Sequence, residues 1–212
     1  MIKYVLFDFD GTLVDSKDVF IKTFNHIAHK YSFKKIEAGN LDHLRNLTMI
    51  DRFRFLDVPL YKLPFLTKEF LSLYRTGLGS ITLIQGMDSV LKQITDLGLG
   101  IGIVSSNSAV TIKSFVKHNG IPLIADVYCS GRLFGKDRIF RKFLKDKKLT
   151  GGEVLYVCDE LRDLHACSKV QIKPVWVSWG FEKQEAVQGA DIPYSADTPE
   201  ELFSIVENEY LR

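Results

Sequence analysis

The chain has 212 residues, of which 46% are hydrophobic and 25% charged; that is enough apolar mass to bury a core and too much for a disordered or fibrous chain. With 28 Lys and Arg against 26 Asp and Glu, the formal charge is +2, too weak a field for nucleic acid or an anionic lipid surface to be the expected partner. The three cysteines, Cys129, Cys158 and Cys167, show no CxxC spacing and no His pairing, which excludes a zinc site or disulfide frame and predicts a reducing, cytoplasmic compartment.

Ile2 to Phe7 is a β-branched and aromatic run that reads as a buried strand entering an acidic turn, Asp8-Phe9-Asp10-Gly11-Thr12. Only four apolar residues separate Lys3 from Asp8, whereas an export signal needs about 7 to 15. From Ser16 to Thr82 no strand is expected. Helical periodicity over Val19 to Tyr31 and Leu60 to Leu73 predicts an inserted helical subdomain, residues 16–81, within a core made of residues 1–15 and 82–212. Asp15-Ser16 is suited to cap its first helix, and Gly77-Leu78-Gly79-Ser80 reads as a flexible return. Helices are then expected at Met87 to Leu97, Ala109 to Asn119, Lys136 to Lys147 and Leu161 to Lys169. Strands are expected at Gly100 to Val104, Val127 to Cys129, Val154 to Cys158 and Pro174 to Val177. The longest apolar run, Leu97 to Val104, is broken by glycines and far shorter than the roughly 20 residues of a membrane span. This alternation predicts an α/β fold: a Rossmann-like, doubly wound parallel sheet with ligands at the carboxyl ends of its strands.

Asp8 and Asp10 stand two apart where the first strand ends, so an extended chain would aim both carboxylates to one side. Two like charges there demand a cation or hydrogen-bond donors, and hard oxygen ligands suit Mg²⁺. Gly11 permits an unusual backbone angle that would leave amides facing an anion. A calcium loop of the EF-hand kind fails, because the sixth position from Asp8 is Leu13 rather than Gly; a solvated turn remains open. A second strand runs into acids at Asp159 and Asp163. These could join the same ion, or Asp159 could cap the following helix with Arg162 and Asp163 exposed. Ser105, with Ser106 and Asn107, follows another strand and opens a helix, an arrangement that fits an anion site and an N-cap equally. Lys136 begins a helix whose dipole disfavours a cation, as a lysine reaching an anion would; the alternative is that it belongs to the wet face formed by Arg138, Arg141, Lys142, Lys145, Lys147 and Lys148.

In this order, the DxDGT run of Asp8 to Thr12, Ser105, Lys136 and the DxxxD pair of Asp159 and Asp163 resemble the motifs of the haloacid dehalogenase superfamily. The closest resemblance is to its phosphatase branch, in the phosphoglycolate-phosphatase-like group with a small helical cap, and it covers essentially the whole chain. It implies a haloacid-dehalogenase-like core and a Mg²⁺-dependent phosphatase in which Asp8 is the nucleophile and Asp10 the general acid and base. It also implies that Asp8, Asp10, Asp159 and Asp163 serve the metal, Asp10 through its backbone carbonyl, while Gly11, Thr12, Ser105, Ser106, Asn107 and Lys136 face the substrate. One departure stands out: Cys158 occupies the position where the family usually has Gly, and it would either crowd the phosphate or pack under the strand.

The second carboxylate, Asp10, disfavours a carbon–halogen hydrolase or a phosphonate-cleaving enzyme. A phosphomutase of the β-phosphoglucomutase type remains the alternative enzyme. A phosphoacceptor signalling module, the alternative from another class, is opposed by the long insertion and by Phe9 between the two acids. The expected partner is a small phosphorylated metabolite, with no nucleic acid or membrane, bound by a monomer or weak homodimer. Within the cap, Arg45 is the candidate for gripping a substrate anion bidentately, alongside Arg52, Arg54, Tyr61 and Lys62. His26 and His29 are expected to be exposed, whereas His165, two residues after Asp163, lies in sequence near the site.

Overall fold

The structure is a computed structural model that describes residues 1–121 and 123–212. In chain order its elements are β1 (Tyr4–Phe7), β2 (Val14–Asp15), α1 (Lys17–Tyr31), α2 (Ala38–Arg45), α3 (Met49–Phe55), α4 (Leu63–Tyr74), β3 (Thr82–Leu83), α5 (Met87–Asp96), β4 (Gly100–Ser105), α6 (Ala109–His118), β5 (Asp126–Cys129), α7 (Lys136–Lys147), β6 (Val154–Cys158), α8 (Leu161–Ser168), β7 (Lys173–Val177), β8 (Tyr194–Ala196) and α9 (Pro199–Leu211). Six strands pair in parallel in the order β5-β4-β1-β6-β7-β8, which is the α/β sheet expected. The chain leaves β1 toward β4 and β5 on one side and later returns to lay β6, β7 and β8 on the other. The carboxyl end of β1 is therefore the point where strand order reverses, the place where such sheets open a ligand crevice.

Alternation along the strands sorts side chains onto two faces. Val5, Phe7, Leu155 and Val157 pack with α5, α6 and α9 through Met87, Leu91, Ile112, Phe115, Leu202 and Val206. Leu6, Val104, Tyr156 and Cys158 pack with α7 and α8 through Phe140, Phe143, Leu164 and Cys167. The helices bury one stripe each: in α5 the buried residues Met87, Val90, Leu91 and Ile94 recur at helical spacing. In α7, Arg138, Arg141, Lys142, Lys145 and Lys147 are all exposed, and Lys136 alone of that basic run is buried.

Between β2 and β3 the chain is helical, and α1 to α4 enclose their own apolar cluster of Phe24, Ile27, Leu44, Leu56, Val58, Leu63 and Leu66. Four features depart from the sequence expectations. Val14 and Leu83 pair across the insertion in a two-residue antiparallel ribbon, a contact between segments too short to show periodicity. The segment expected to be a flexible return is a 3-10 helix, Arg75–Ser80. Ser16 makes no side-chain cap, its place being taken by the Asp15 carboxylate, which accepts from the Lys17 amide at 3.3 Å. Finally, α2, α3, β8 and α9 are additional, although Thr198-Pro199-Glu200-Glu201 carries a legible helix start, with Thr198 accepting from the Glu201 amide. Among the described residues, no helix is long and apolar enough to cross a membrane.

Candidate active site at the carboxyl edge of the sheet

Asp8 extends the β1 ladder by one residue, its amide donating to the Val157 carbonyl at 2.8 Å. Alternation then turns its side chain toward α7 and α8, where it is 4% exposed. There the Lys136 ammonium donates to Asp8 Oδ2 at 2.9 Å, to Asp163 Oδ2 at 2.8 Å and to the Tyr156 hydroxyl at 2.8 Å, and Tyr156 donates in turn to the Val104 carbonyl at 3.0 Å. Burial penalises the Asp8 carboxylate, but Lys136 and Arg162 outweigh that cost and hold it below the usual range. Asp163 lacks that balance: burial, only partly offset by Lys136, pushes it up to about 7. Lys136 is thus a lysine reaching anions, as its place at a helix start suggested, but its anions are the acids of the protein.

After Asp8 the chain does not stay extended. It turns, with the Leu13 and Val14 amides both donating to the Phe9 carbonyl, so Asp10 faces different partners from Asp8 although both line one cavity. Asp10 accepts from the Tyr74 hydroxyl and, at 3.0 Å, from Asn107 Nδ2; burial raises its pKa against the pull of these donors. Gly11 adopts φ 76°, and a Cβ there would lie 2.6 Å from Asp159 Oδ2, so no other residue fits without displacing that acid. Its amide is not free for an anion, since it donates to the Val14 carbonyl at 3.0 Å. Thr12, expected at the substrate, is fully buried and its hydroxyl donates to Asp159 Oδ1 at 2.9 Å.

Asp159 caps no helix. Its carboxylate accepts from Thr12 and, at 2.7 Å, from the Phe181 amide, while Glu160 occupies the N-cap position of α8. Nor are Arg162 and Asp163 simply exposed. Asp163 is 1% exposed, and Arg162 donates to Glu160 Oε2 at 2.6 Å, to Ser106 Oγ at 3.1 Å and to the Leu133 carbonyl. Ser105 ends β4 rather than opening a helix; its Oγ accepts from the Asn107 amide at 3.0 Å, and Ser108 is the cap of α6.

Asp8, Glu160 and Asp163 each bring a carboxylate oxygen within 4.8 Å of the others, the one such trio among the described residues. Asp159, also assigned to a metal from sequence, has its carboxylate on Thr12 and the Phe181 amide; the expectation for Asp10 concerns its backbone carbonyl, not the carboxylate that Tyr74 and Asn107 hold. Two observations fit a hard divalent cation here. Asp163 Oδ1 is buried with no hydrogen-bond partner, and the four buried acids Asp8, Asp159, Glu160 and Asp163 exceed the three cations around them, Lys136, Arg52 and Arg162.

The sequence pattern of haloacid dehalogenase-like hydrolases matches residues 5–177. The chain belongs to this family. Over 95% of its length it is 27% identical to a phosphoglycolate phosphatase of Synechococcus elongatus, of which 96% is covered. It is also 27% identical to a pyrophosphatase PpaX of Bacillus pumilus, covering 88% of each chain. In fold it is similar to a haloacid dehalogenase-like hydrolase from Streptococcus pneumoniae, with a TM-score of 0.82 at 18% identity over 97% of this chain and 98% of that one.

In this haloacid dehalogenase-like hydrolase Cys158 is fully buried among Leu6, Val104, Phe140 and Tyr156, so the departure from Gly packs under the strand and does not crowd the cavity. The cap candidates separate. Arg45 lines the cavity, but its Nε and Nη2 donate to the Phe181 and Gly180 carbonyls at 3.0 Å each, which uses its fork to bind cap to core. Arg52 also reaches the cavity, where it is 8% exposed and pairs with Glu182 and, at 3.4 Å, with Glu160. Arg54 pairs with Asp51 at 2.9 Å, and Tyr61 is 81% exposed; these two and Lys62 are not among the cavity's lining residues. His26, His29 and His165 are exposed. Glu160, Arg162 and Tyr74 were missed. Glu160 had a signal in its position directly after Asp159 at a strand end, whereas Tyr74 meets Asp10 only through the tertiary fold.

Proposed function

We propose that this protein is a Mg²⁺-dependent phosphatase that hydrolyses a small phosphate monoester through an aspartyl-phosphate on Asp8. The observation that carries the reading is the Asp8 carboxylate, buried yet held ionised by Lys136, facing a cavity shared with an Asp10 whose proton affinity is raised. One Asp8 oxygen attacks phosphorus and the bond to the alcohol oxygen breaks. Asp10 gives its proton to the departing alkoxide, then takes one from the water that attacks the phosphoryl group and frees Asp8. Tyr74 and Asn107 fix Asp10 for both transfers, and Ser105, Ser106 and Asn107 offer polar groups on the adjoining wall. Asp8, Glu160 and Asp163 would hold the metal, and the family resemblance adds Asp159 and the Asp10 carbonyl; bound there, the ion would offset the charge shared by nucleophile and phosphate.

The helices between β2 and β3 act in this reading as a cap that excludes water and selects the alcohol. Three free thiols support a reducing, cytoplasmic setting for this reading. The mutase alternative needs a sugar hydroxyl as acceptor and the signalling alternative needs no covered cavity; neither has an observation in its favour. Hydrolysis of p-nitrophenyl phosphate by the folded chain, with and without Mg²⁺, is the test. Turnover that requires the metal is expected, and a well-folded chain without it overturns the assignment.

A further inference from the structure

Asp10 marks the alcohol side of the site, so the space beyond it is where the rest of the substrate lies. That space is a cavity of about 370 Å³ running from Asp8 into the cap, within the range of small-molecule sites. Its wall begins at Asp10 itself. Tyr74 reaches that carboxylate with its hydroxyl and stacks its ring on Phe70 at 5.8 Å; Phe70 meets Phe20 at 5.1 Å, and Phe20 meets Phe181 at 5.8 Å. Deeper in, Phe24, Ile27, Val58, Leu63 and Leu66 line the cavity and are also the core of the cap. The cap core is therefore hollow toward the site, where protein interiors normally close-pack.

The cations that line this space sit toward its mouth and the sheet edge rather than in the cap core. Arg52 pairs with Glu160 and Glu182 and Arg162 with Glu160, while Arg45 donates to the Gly180 and Phe181 carbonyls and Lys17 is exposed to solvent; of the lining cations, these last two have no carboxylate partner. A second anion carried into the deep end of this space, among Phe24, Ile27, Val58, Leu63 and Leu66, would be desolvated against aliphatic and aromatic side chains, whereas an apolar tail gains by the same burial.

We infer that the substrate is a phosphate monoester of an uncharged, apolar alcohol or phenol, whose tail enters the cap between the Tyr74–Phe70–Phe20 wall and the hollow cap core. This narrows the phosphatase reading and rests on it for the chemistry, while the tail preference can be measured without turnover. The experiment is a series of n-alkyl phosphates from ethyl to octyl, with phosphoglycolate alongside, at saturating Mg²⁺. The expected result is that kcat/KM rises about threefold to fourfold per methylene until the cavity fills, with phosphoglycolate no better than the ethyl ester. A flat series, or a preference for phosphoglycolate, overturns the inference.

Calorimetric binding of octyl- and ethylphosphonate separates the two readings. If no ester is hydrolysed the phosphatase assignment fails, yet octylphosphonate binding at least about tenfold tighter would still uphold the apolar site, and equal affinities would overturn it. Thr67 on α4 is half-buried and lines the cavity. Thr67→Trp is expected to cut octyl phosphate kcat/KM by about tenfold with ethyl phosphate within about twofold. Equal effects on both esters count against the inference, and Met49→Trp on α3 repeats the test if the first variant does not fold.

Discussion

The carboxyl edge of the sheet and the cap above it are built on opposite principles. At the edge, Asp8, Asp159, Glu160 and Asp163 crowd together in burial, and each is held in place by a specific donor or cation. In the cap, the cavity wall is aromatic and aliphatic, and its arginines are turned to structural duties. Charge is costly to bury and so must be held rigidly, which a strand end does well. Apolar contact is non-directional and tolerates a surface that opens and closes. The contrast teaches that, in the proposed phosphatase, chemistry and selection would be lodged in different materials, so substitutions in the two regions should fail in different ways.

The largest expected effect is at the edge. Asp8→Asn should reduce turnover by on the order of 10⁴-fold or more while the chain still folds, with a melting temperature modestly below the parent because Lys136 loses one buried carboxylate and keeps Asp163; near-normal rates would take the nucleophile role from Asp8. Asp10→Asn should cost about 10²- to 10⁴-fold and let a phosphoenzyme accumulate, visible by intact mass after mixing with substrate. Absence of any covalent adduct with rates unchanged would remove Asp10 from proton transfer.

The join between the regions is expected to fail in stability. Arg52→Met strips Glu160 and Glu182 of their shared cation and should cost roughly 3 kcal/mol in urea unfolding, softened because burial already pushes Glu182 up to about 8 and lets it take a proton.

The smallest effect lies at the amino end of the sheet, far from either region. There Glu209 of α9 is surrounded by Lys173 at 2.5 Å, Tyr194 at 2.6 Å and Arg212 at 2.6 Å. Burial opposes its ionisation, but these partners outweigh it and lower its pKa. A lowered carboxylate pKa contributes stability that is present above the unfolded value and is lost as pH falls through the folded one. Melting temperature should therefore drop on acidification, and Glu209→Gln should be less stable near neutrality with a shallower acid dependence. Its kcat should match the parent, which separates acid lability of the fold from acid sensitivity of the site.

Much of this was readable along the chain. The strands β1, β4, β6 and β7 and the helices α5, α6, α7 and α8 lie within a residue or two of their periodic patterns, because each buries a continuous apolar face that sequence displays directly. The two-residue ribbon of Val14 with Leu83 was not, since pairing of that length is dictated by where the insertion enters and leaves. The motif acids were legible as a set, but their partners were not. Nothing local says that Thr12 serves Asp159, that Glu160 joins Asp8 and Asp163, or that Arg45 is consumed by the loop at Gly180.

By itself the sequence determined the alternating core, the helical insertion and the kinds of side chain at each strand end, because periodicity and turn chemistry act over a few residues. Only the tertiary structure decided which carboxylate is held ionised, which arginine is spent and that the cap is hollow. Those depend on desolvation and on partners far apart in sequence, such as Arg45 and Phe181, 136 positions apart, and both are properties of the packed molecule.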